Sequence, residues 1–185
     1  MEENINEECA VVNKITGFQN SFSCCSDEGI SCENGHITEI FFNDVNLNGF
    51  IPPEIKKLTN LKSLDLFNNK NFGGSIPREI GELLMLKILR ISNNNLSGSI
   101  PNEIGNMKML ERIDLMNNKL TGSIPPEIGD LFNLTEMSLN NNKLTGAIPP
   151  DLKKLTLLDQ MYLYENHLNG TIPPELGEMT GIKKL

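Results

Sequence analysis

Four cysteines near the start of the chain are the residues best able to form covalent or metal bonds. They are Cys9, Cys24, Cys25 and Cys32. A cluster of this kind predicts two disulfide bonds, a metal site or free thiols. Zinc sites favour paired cysteines separated by two to four residues, and the adjacent Cys24 and Cys25 suit such a site poorly. We therefore expect disulfide bonds ahead of free thiols, and free thiols ahead of a metal site.

Residues that could catalyse a reaction are few. The two histidines, His36 and His167, belong to no recognisable motif, and the sequence contains no phosphate-binding loop, zinc-protease motif or nucleophile elbow. Its aspartates and glutamates recur at a fixed spacing, which is a structural reason for their presence. The sequence thus predicts a non-catalytic segment without a metal or cofactor, in which His36 is a surface residue.

The balance of charge limits the partners. The 185 residues include 24 acidic and 16 basic side chains, for a net charge of -8, which argues against nucleic acid and anionic membrane surfaces as partners. No window of about 18 apolar residues could span a bilayer, and the N-terminus lacks the apolar core of a signal peptide. Disulfide bonds nevertheless imply an oxidising compartment. We therefore expect an extracellular or cell-surface protein whose signal has been removed, the alternative being a cytosolic chain with reduced cysteines.

An internal repeat supplies the elements that must position any functional residue. The motif Leu-x-x-Leu-x-Leu-x-x-Asn begins at Leu61 and recurs every 24 or 25 residues. Each full copy continues with Gly-x-Ile-Pro and an amphipathic segment such as residues 103–107. The copies begin at Ile37, Leu61, Leu86, Leu110, Leu134, Leu158 and Ile182. Six full copies and a seventh that stops at Leu185 predict a stacked repeat architecture.

Each repeat predicts a short strand, a turn and one helical turn. The alternation in Leu-x-Leu places one side of the strand inward. The amide of the following asparagine can bond backbone groups that the turning strand leaves free, and stacked copies predict an internal ladder. Proline lacks a backbone donor, so it ends the extended chain or opens a helical turn. The ladder asparagines are Asn69, Asn94, Asn118, Asn142 and Asn166.

The full unit, Leu-x-x-Leu-x-Leu-x-x-Asn-x-Leu-x-Gly-x-Ile-Pro-x-x-Ile-Gly-x-Leu, resembles the plant-type leucine-rich repeat of receptor-like kinases, receptor-like proteins and polygalacturonase-inhibiting proteins. The resemblance covers residues 37–185. The run from Cys24 to Cys32 is similar to the N-terminal cap of that family, although the tryptophans typical of the cap are absent. The resemblance implies an α/β repeat fold: a curved right-handed leucine-rich-repeat solenoid with a concave parallel β-sheet. It also implies a cysteine-rich cap over residues 1–36 with the bridges Cys9–Cys24 and Cys25–Cys32.

The outward positions of the strands form columns on the concave face, where a partner would bind. Arg90 lies between Asp65 and Asp114 in one column, and Arg112 lies beside Glu136 in another. These neighbours predict either ion pairs that satisfy one another, which we favour, or a site for an acidic group. Large apolar residues also face outward, and tyrosine is frequent at binding hot spots. The candidate partner-binding residues are Phe41, Phe67, Arg90, Arg112, Asp114, Met116, Tyr162 and Tyr164.

Three sequons predict N-glycosylation of a secreted chain, at Asn95, Asn133 and Asn169. With 25 asparagines in the sequence, some sequons would arise by chance. Asn133 comes just before a strand, so we expect it on the outer rim of the solenoid. Asn95 follows the ladder asparagine directly, and we expect it to be hindered.

The resemblance implies recognition rather than catalysis. It indicates an extracellular domain that binds a protein or peptide ligand, as part of a signalling receptor with a co-receptor as a further partner. The alternatives are a secreted inhibitor of a wall-degrading enzyme such as polygalacturonase and, less favoured, a cytosolic scaffold. Because the chain stops within its seventh repeat without a C-terminal cap, we expect it to be a fragment, and a membrane span and a kinase domain could follow in a longer chain.

Overall fold

The repeats stack side by side and place their strands in one continuous sheet. The computed structural model describes residues 2–17, 24–179 and 181–183. A helix, α1 (Glu2–Thr16), comes first. The strands of the described residues are, in chain order, β1 (Ile30–Glu33), β2 (His36–Phe41), β3 (Ser63–Asp65), β4 (Gly73–Ser75), β5 (Ile88–Arg90), β6 (Asn95–Ser99), β7 (Arg112–Asp114), β8 (Lys119–Thr121), β9 (Glu136–Ser138), β10 (Thr145–Gly146), β11 (Gln160–Tyr162) and β12 (His167–Leu168).

The larger sheet has the order β1–β2–β3–β5–β7–β9–β11. Strand β1 is antiparallel to β2, and every later pair is parallel. Each parallel pairing is offset by one repeat, so that Leu64 lies between Ile40 and Leu89. Parallel strands in one sheet are joined by right-handed crossovers. The predicted right-handed solenoid with a concave parallel sheet is confirmed.

The seventh repeat continues the stack at its start. The backbone N–H of Lys183 donates to the carbonyl of Asp159 at 2.8 Å. One repeat earlier, Asp159 makes the same contact with Thr135, at 3.0 Å. The ladder of backbone hydrogen bonds therefore extends into this repeat. Leu185, which we expected to belong to it, lies outside the described residues.

The inward residues form a thin aliphatic core. Leu61, Leu64 and Leu66 are fully buried, as are their counterparts in the next three repeats. Among the described residues, Phe72 is the one aromatic side chain in the buried core. Stacked copies of one aliphatic side chain leave no repeated space for a large ring. This accounts for a chain of 185 residues with no Trp and two Tyr.

Opposite the sheet, each Gly-x-Ile-Pro segment leads into a five-residue 3-10 turn, as predicted. The central apolar residue of each of the first five turns, such as Ile104, is buried. Neighbouring turns approach closely where glycine occupies the fourth position. A Cβ on Gly105 would lie 2.5 Å from the carbonyl oxygen of Glu127. The turns are Pro53–Lys57, Arg78–Glu82, Asn102–Asn106, Pro126–Asp130, Pro150–Lys154 and Pro174–Glu178.

A second set of short parallel strands follows the ladder asparagines, and we did not expect it from the sequence. Strands β4, β6 and β8 form one group, and β10 and β12 form another. The glycine at the end of this segment has a positive φ in five repeats, for example +75° at Gly98. Glycine adopts this conformation at little cost because it has no Cβ. Each of these repeats thus adds a strand to a second face of the solenoid.

Helix α1 and the disulfide bonds cap the first repeat. Cys9 is bonded to Cys24, and Cys25 is bonded to Cys32, so the expected pairing is confirmed. Because it closes a separation of 15 residues, the first bridge stabilises the fold by about 3 kcal/mol in the loop-entropy model. No helix in the described part of the chain is long and apolar enough to cross a membrane.

Polar side-chain contacts fix α1 against the repeats. The buried carboxylate of Glu8 accepts the backbone N–H of Ile37 at 2.7 Å and lies 2.7 Å from Nδ1 of His36. The expectation that His36 is a plain surface residue is therefore corrected, because its ring is half-buried against this carboxylate. At the other end of α1, Lys14 donates to Glu54 at 2.6 Å, which holds the pKa of the Glu54 carboxyl below its usual value.

Candidate recognition surface

The ladder asparagines hold the strand ends from inside. Asn118 is buried, and its amide nitrogen donates to the carbonyls of Ile91 at 2.9 Å and Leu115 at 3.1 Å. Its amide oxygen accepts the backbone N–H of Leu96 at 2.9 Å. The carbonyl of Ile91 belongs to the preceding repeat, so the side chain joins two repeats. The five ladder asparagines are thus placed to shape the concave face, not to contact a partner.

The last outward column of the concave face has a backbone role. All six of its residues have a positive φ, between 53° and 61°. Asparagine and aspartate enter this left-handed region more readily than other residues with a side chain. This explains the asparagines of the column without a binding role. The column consists of Asp44, Asn68, Asn93, Asn117, Asn141 and Glu165.

Arg90 lies at the centre of a cluster in which its charge is paired with two carboxylates of the protein. Its Nη1 is 3.3 Å from Oδ2 of Asp65, and its Nε is 3.6 Å from Oδ2 of Asp114. Its Cζ lies 4.3 Å from the ring centroid of Phe67, within the range of a cation–π interaction. Both carboxylates are largely buried. The structure therefore brings three of the candidate residues together, but their charges are already paired with one another.

Arg112, the next charged candidate along the sheet, also forms an ion pair within the protein. Nη2 of Arg112 donates to Oε1 of Glu136 at 2.8 Å. The buried Nε of Arg112 has no hydrogen-bond partner in the described structure. Met116 is half-buried on the same strand segment. An acidic group on a partner would have to compete with Glu136 for this guanidinium.

The exposed aromatic rings of the concave face lie at two separate places. Tyr162 and Tyr164 are neighbours, with ring centroids 6.4 Å apart and ring planes at 84°. Tyr164 is 57% exposed, and the hydroxyl of Tyr162 donates to Gln160 at 3.1 Å. Phe41 is also 57% exposed, but it is on β2, five strand spacings or about 24 Å away. One small rigid ligand could not contact both groups.

Two residues that the sequence analysis did not select lie between these groups. Ser138 and Asn140 face outward on β9 and beyond its end, yet they are only 4% and 2% exposed. Met116 and the tyrosines belong to the flanking repeats and are larger. The signal available in the sequence was that these two small polar residues are flanked by larger side chains in the neighbouring repeats. Period-two alternation alone predicts only that outward residues are exposed.

A stripe of exposed apolar residues runs along the rim where the strands begin. Asn133 interrupts it and is exposed, as is Asn169, whereas Asn95 is half-buried within β6. The amide nitrogen of Asn133 donates to the carbonyl of Lys108 at 2.7 Å. Glycosylation of these sequons remains a prediction. The rim stripe consists of Leu84, Met85, Met109, Phe132 and Leu157.

Residues 40–185 match the family model of the leucine-rich repeat region. No curated protein matches the chain significantly. Among solved structures, the leucine-rich-repeat ectodomain of the Arabidopsis thaliana membrane receptor kinase GASSHO1/SCHENGEN3, in complex with CASPARIAN STRIP INTEGRITY FACTOR 2, is similar at a TM-score of 0.91 and 30% identity. The match covers 97% of this chain and 23% of that chain.

Two further structures have the same fold. The Arabidopsis receptor kinase HAESA, in complex with the peptide hormone IDA and the co-receptor SERK1, gives a TM-score of 0.85 at 27% identity, over 100% of this chain and 33% of that chain. A plant ice-binding protein gives 0.83 at 31% identity, over 94% of this chain and 59% of that chain. The chain thus spans less than two thirds of each of these proteins.

Proposed function

The chain belongs to the leucine-rich repeat family, and from this premise we propose that it recognises a peptide or protein through its concave sheet. The proposed setting is the extracellular ligand-binding part of a cell-surface receptor. The observation that carries the proposal is the pair of neighbouring tyrosines on the open concave face, with Tyr164 57% exposed. Tyrosine is enriched at hot spots because it buries a large area and loses little side-chain entropy.

The setting is supported by the cap and by the similar structures. Two disulfide bonds hold the cap, and such bonds persist in oxidising compartments. The ectodomain of the receptor kinase GASSHO1/SCHENGEN3 was solved in complex with CASPARIAN STRIP INTEGRITY FACTOR 2, and the receptor kinase HAESA in complex with the peptide hormone IDA. The HAESA complex also contains a co-receptor, and we propose a co-receptor as a second partner of this chain.

We expect replacement of both tyrosines to weaken peptide binding. The probe is a peptide selected on this chain from a random display library. Tyr162→Ala combined with Tyr164→Ala should raise its Kd at least about 30-fold, since one hot-spot residue contributes about 2 kcal/mol. Isothermal titration calorimetry measures the change.

The matched control for the tyrosines is Phe132→Ala on the rim, a ring that is 53% exposed. It should leave the Kd unchanged. An unchanged Kd for the tyrosine variant would remove the concave face from the proposal. Binding and inhibition of a polygalacturonase by the chain would replace the receptor with the secreted-inhibitor alternative.

A second candidate function, ice binding, is favoured by the second set of strands. Hydroxyl residues are paired there across neighbouring strands, with Ser75 opposite Ser97 and Ser99 opposite Thr121. Ser123 and Thr145 form a third such pair through an isolated bridge, and all six residues are exposed. The two hydroxyl residues of each pair lie on neighbouring strands, about 4.8 Å apart. The similar plant ice-binding protein has the same fold.

We expect this candidate function to appear as slower growth of ice grains. The chain should inhibit ice recrystallisation in a frozen sucrose solution at a concentration where serum albumin does not. Ser99→Lys places a long cation within the hydroxyl pairs and should abolish the effect. Thr156→Lys changes an exposed residue away from this face and should not. Ice grains that grow equally with the chain and with albumin would exclude ice binding.

A further inference from the structure

The rim stripe is an apolar surface that the described part of the chain leaves open to solvent. Its five residues are between 39% and 57% exposed. They occupy two adjacent positions of the repeat, which lie between buried residues such as Leu131 and Leu134. The stripe therefore runs from repeat to repeat along one side of the solenoid. Contiguous apolar surface of this kind calls for an explanation, because soluble proteins seldom leave large apolar patches uncovered.

Asn133 lies inside this stripe. Met109 and Leu157 occupy the same repeat position as Asn133, one repeat before it and one repeat after it, and neighbouring repeats are about 4.8 Å apart at the sheet. The amide nitrogen of Asn133 donates to the carbonyl of Lys108 at 2.7 Å, and Nζ of Lys108 lies 5.6 Å from the ring centroid of Phe132. Apolar side chains therefore stand beside Asn133 along its own chain and in both neighbouring repeats.

A glycan on Asn133 is compatible with the folded chain. Asn133 and Thr135 of the sequon are both exposed, and Leu134 between them is buried in the core. The hydrogen bond to Lys108 uses one N–H of the amide, which has two, so a sugar can replace the other hydrogen without breaking this bond. N-linked glycans are bulky and lie on the surface. A glycan on this asparagine would begin in the middle of the rim stripe.

The charges beside the stripe favour a neutral occupant. Nζ of Lys108 lies 4.0 Å from a carboxylate oxygen of Asp130, and Nζ of Lys87 lies 3.0 Å from one of Glu111. The two members of each pair cancel each other's charge, so they offer little attraction to a charged partner. The core of an N-linked glycan is uncharged, and its sugar rings have faces of C–H groups that can pack on apolar side chains.

We infer that Asn133 carries an N-linked glycan whose first sugars pack on the rim stripe. They cover the ring of Phe132 and the side chains of Met109 and Leu157. The glycan thereby removes apolar surface from water and stabilises the folded chain, and it keeps other proteins away from this rim. This assignment rests on the proposed extracellular setting, because N-linked glycans are attached to secreted chains.

Methionine oxidation tests the position of the glycan. The chain is secreted from cultured eukaryotic cells, and peptide mass spectrometry measures the occupancy of Asn133. Dilute hydrogen peroxide then converts exposed methionines to the sulfoxide. Met109 should oxidise at least about 3-fold more slowly in the glycosylated chain than in Asn133→Gln, because the sugar shields its sulfur. Met85 is the internal control, since it is 46% exposed and two repeats away from Asn133, and its oxidation rate should differ little between the two chains.

Thermal unfolding tests the energy of the same contact. The glycosylated chain should have a thermal midpoint about 2–4 °C above that of Asn133→Gln. In the background of Phe132→Ala the same comparison should give a clearly smaller gain, because the ring under the sugar is absent. Asn169→Gln is the matched control. Asn169 is also an exposed sequon residue, but the residues at its position in the two preceding repeats are Thr145 and Thr121, so losing its glycan should change the midpoint by less than about 1 °C.

Three results would overturn the glycan contact. The first is a secreted chain without a glycan on Asn133. The second is a glycosylated chain in which Met109 oxidises as fast, and which unfolds at the same temperature, as Asn133→Gln. The third is a dimer, detected by light scattering, that Phe132→Asp converts to a monomer, because a second copy of the chain would then cover the stripe.

The glycan contact and peptide recognition fail in different ways. The Kd of the selected peptide should be the same for the glycosylated chain and for Asn133→Gln, because the rim stripe lies outside the concave face. If the double tyrosine variant loses binding while Met109 is unprotected, peptide recognition stands and the glycan contact is wrong. If Met109 is protected while the double tyrosine variant binds normally, the glycan contact stands and recognition through the tyrosines is wrong.

Discussion

Asn118→Ala is expected to lower the free energy of unfolding by at least about 3 kcal/mol. The side chain donates to the carbonyls of Ile91 and Leu115 and accepts the N–H of Leu96, at 2.9 to 3.1 Å. These backbone groups lie in the interior, where water cannot replace the lost bonds. Because Ile91 belongs to the preceding repeat, the substitution also loosens the contact between two repeats. Urea unfolding of the native and variant chains, followed by circular dichroism, measures the change.

Asn106→Ala is the control for this experiment. Asn106 is an exposed residue of a 3-10 turn, so its substitution should change the free energy of unfolding by less than about 0.5 kcal/mol. Asn166→Ala should fall between the two, because Asn166 holds the last ladder position and is half-buried. Equal effects of Asn118→Ala and Asn106→Ala would contradict the ladder as a source of stability.

The architecture was predictable because one local rule is repeated. The spacing of Leu61, Leu64 and Leu66 fixes a strand and its inward side, and copies 24 or 25 residues apart fix the register. The same register let the columns predict which charged residues would be neighbours, as Arg90 and Asp114 are. Residues at the same position of successive repeats therefore lie next to each other in the sheet. An error in predicting one repeat does not change the prediction for the others.

The second set of strands was missed for a local reason. Its extended stretches are two to five residues long and contain or closely precede a glycine with positive φ, such as Gly98. Short stretches interrupted by glycine have weak strand propensity. They pair because the larger sheet and the turns have already placed successive repeats in register. Stacking, more than the sequence of the segment itself, therefore determines this face.

The low exposure of Ser138 and Asn140 was missed for a different reason. Whether an outward residue is exposed depends on the size of its neighbours one repeat away. Asn43 and Asn140 occupy the same column, yet Asn43 is half-buried and Asn140 is 2% exposed. The sequence gives the column but not this difference in exposure. The charged candidates are also less favoured as binding residues, because Arg90 and Arg112 form ion pairs within the protein.

Gly105→Ala is expected to lower the free energy of unfolding by about 1–3 kcal/mol, through overpacking. An added Cβ would lie 2.5 Å from the carbonyl oxygen and 2.8 Å from the Cβ of Glu127 in the next turn. Neither atom can move away by a side-chain rotation, so the two turns must separate. Lysine occupies the equivalent position at Lys56 and Lys153, which shows that the fold admits a side chain there. The expected cost is therefore that of strain at one junction, without loss of the fold.

Gly177→Ala makes the same change at the equivalent position of another 3-10 turn, where no following turn lies against it in the described residues. Gly177 is the fourth residue of its 3-10 turn, and an added Cβ there would meet no described atom within 4 Å. Alanine restricts the unfolded chain more than glycine does, so this variant should be neutral or more stable by up to about 1 kcal/mol. The two variants make the same chemical change at the same repeat position, and urea unfolding compares them directly. A destabilisation of Gly177→Ala as large as that of Gly105→Ala would show that glycine is required by the turn itself, and that the close approach of neighbouring turns is not the cause.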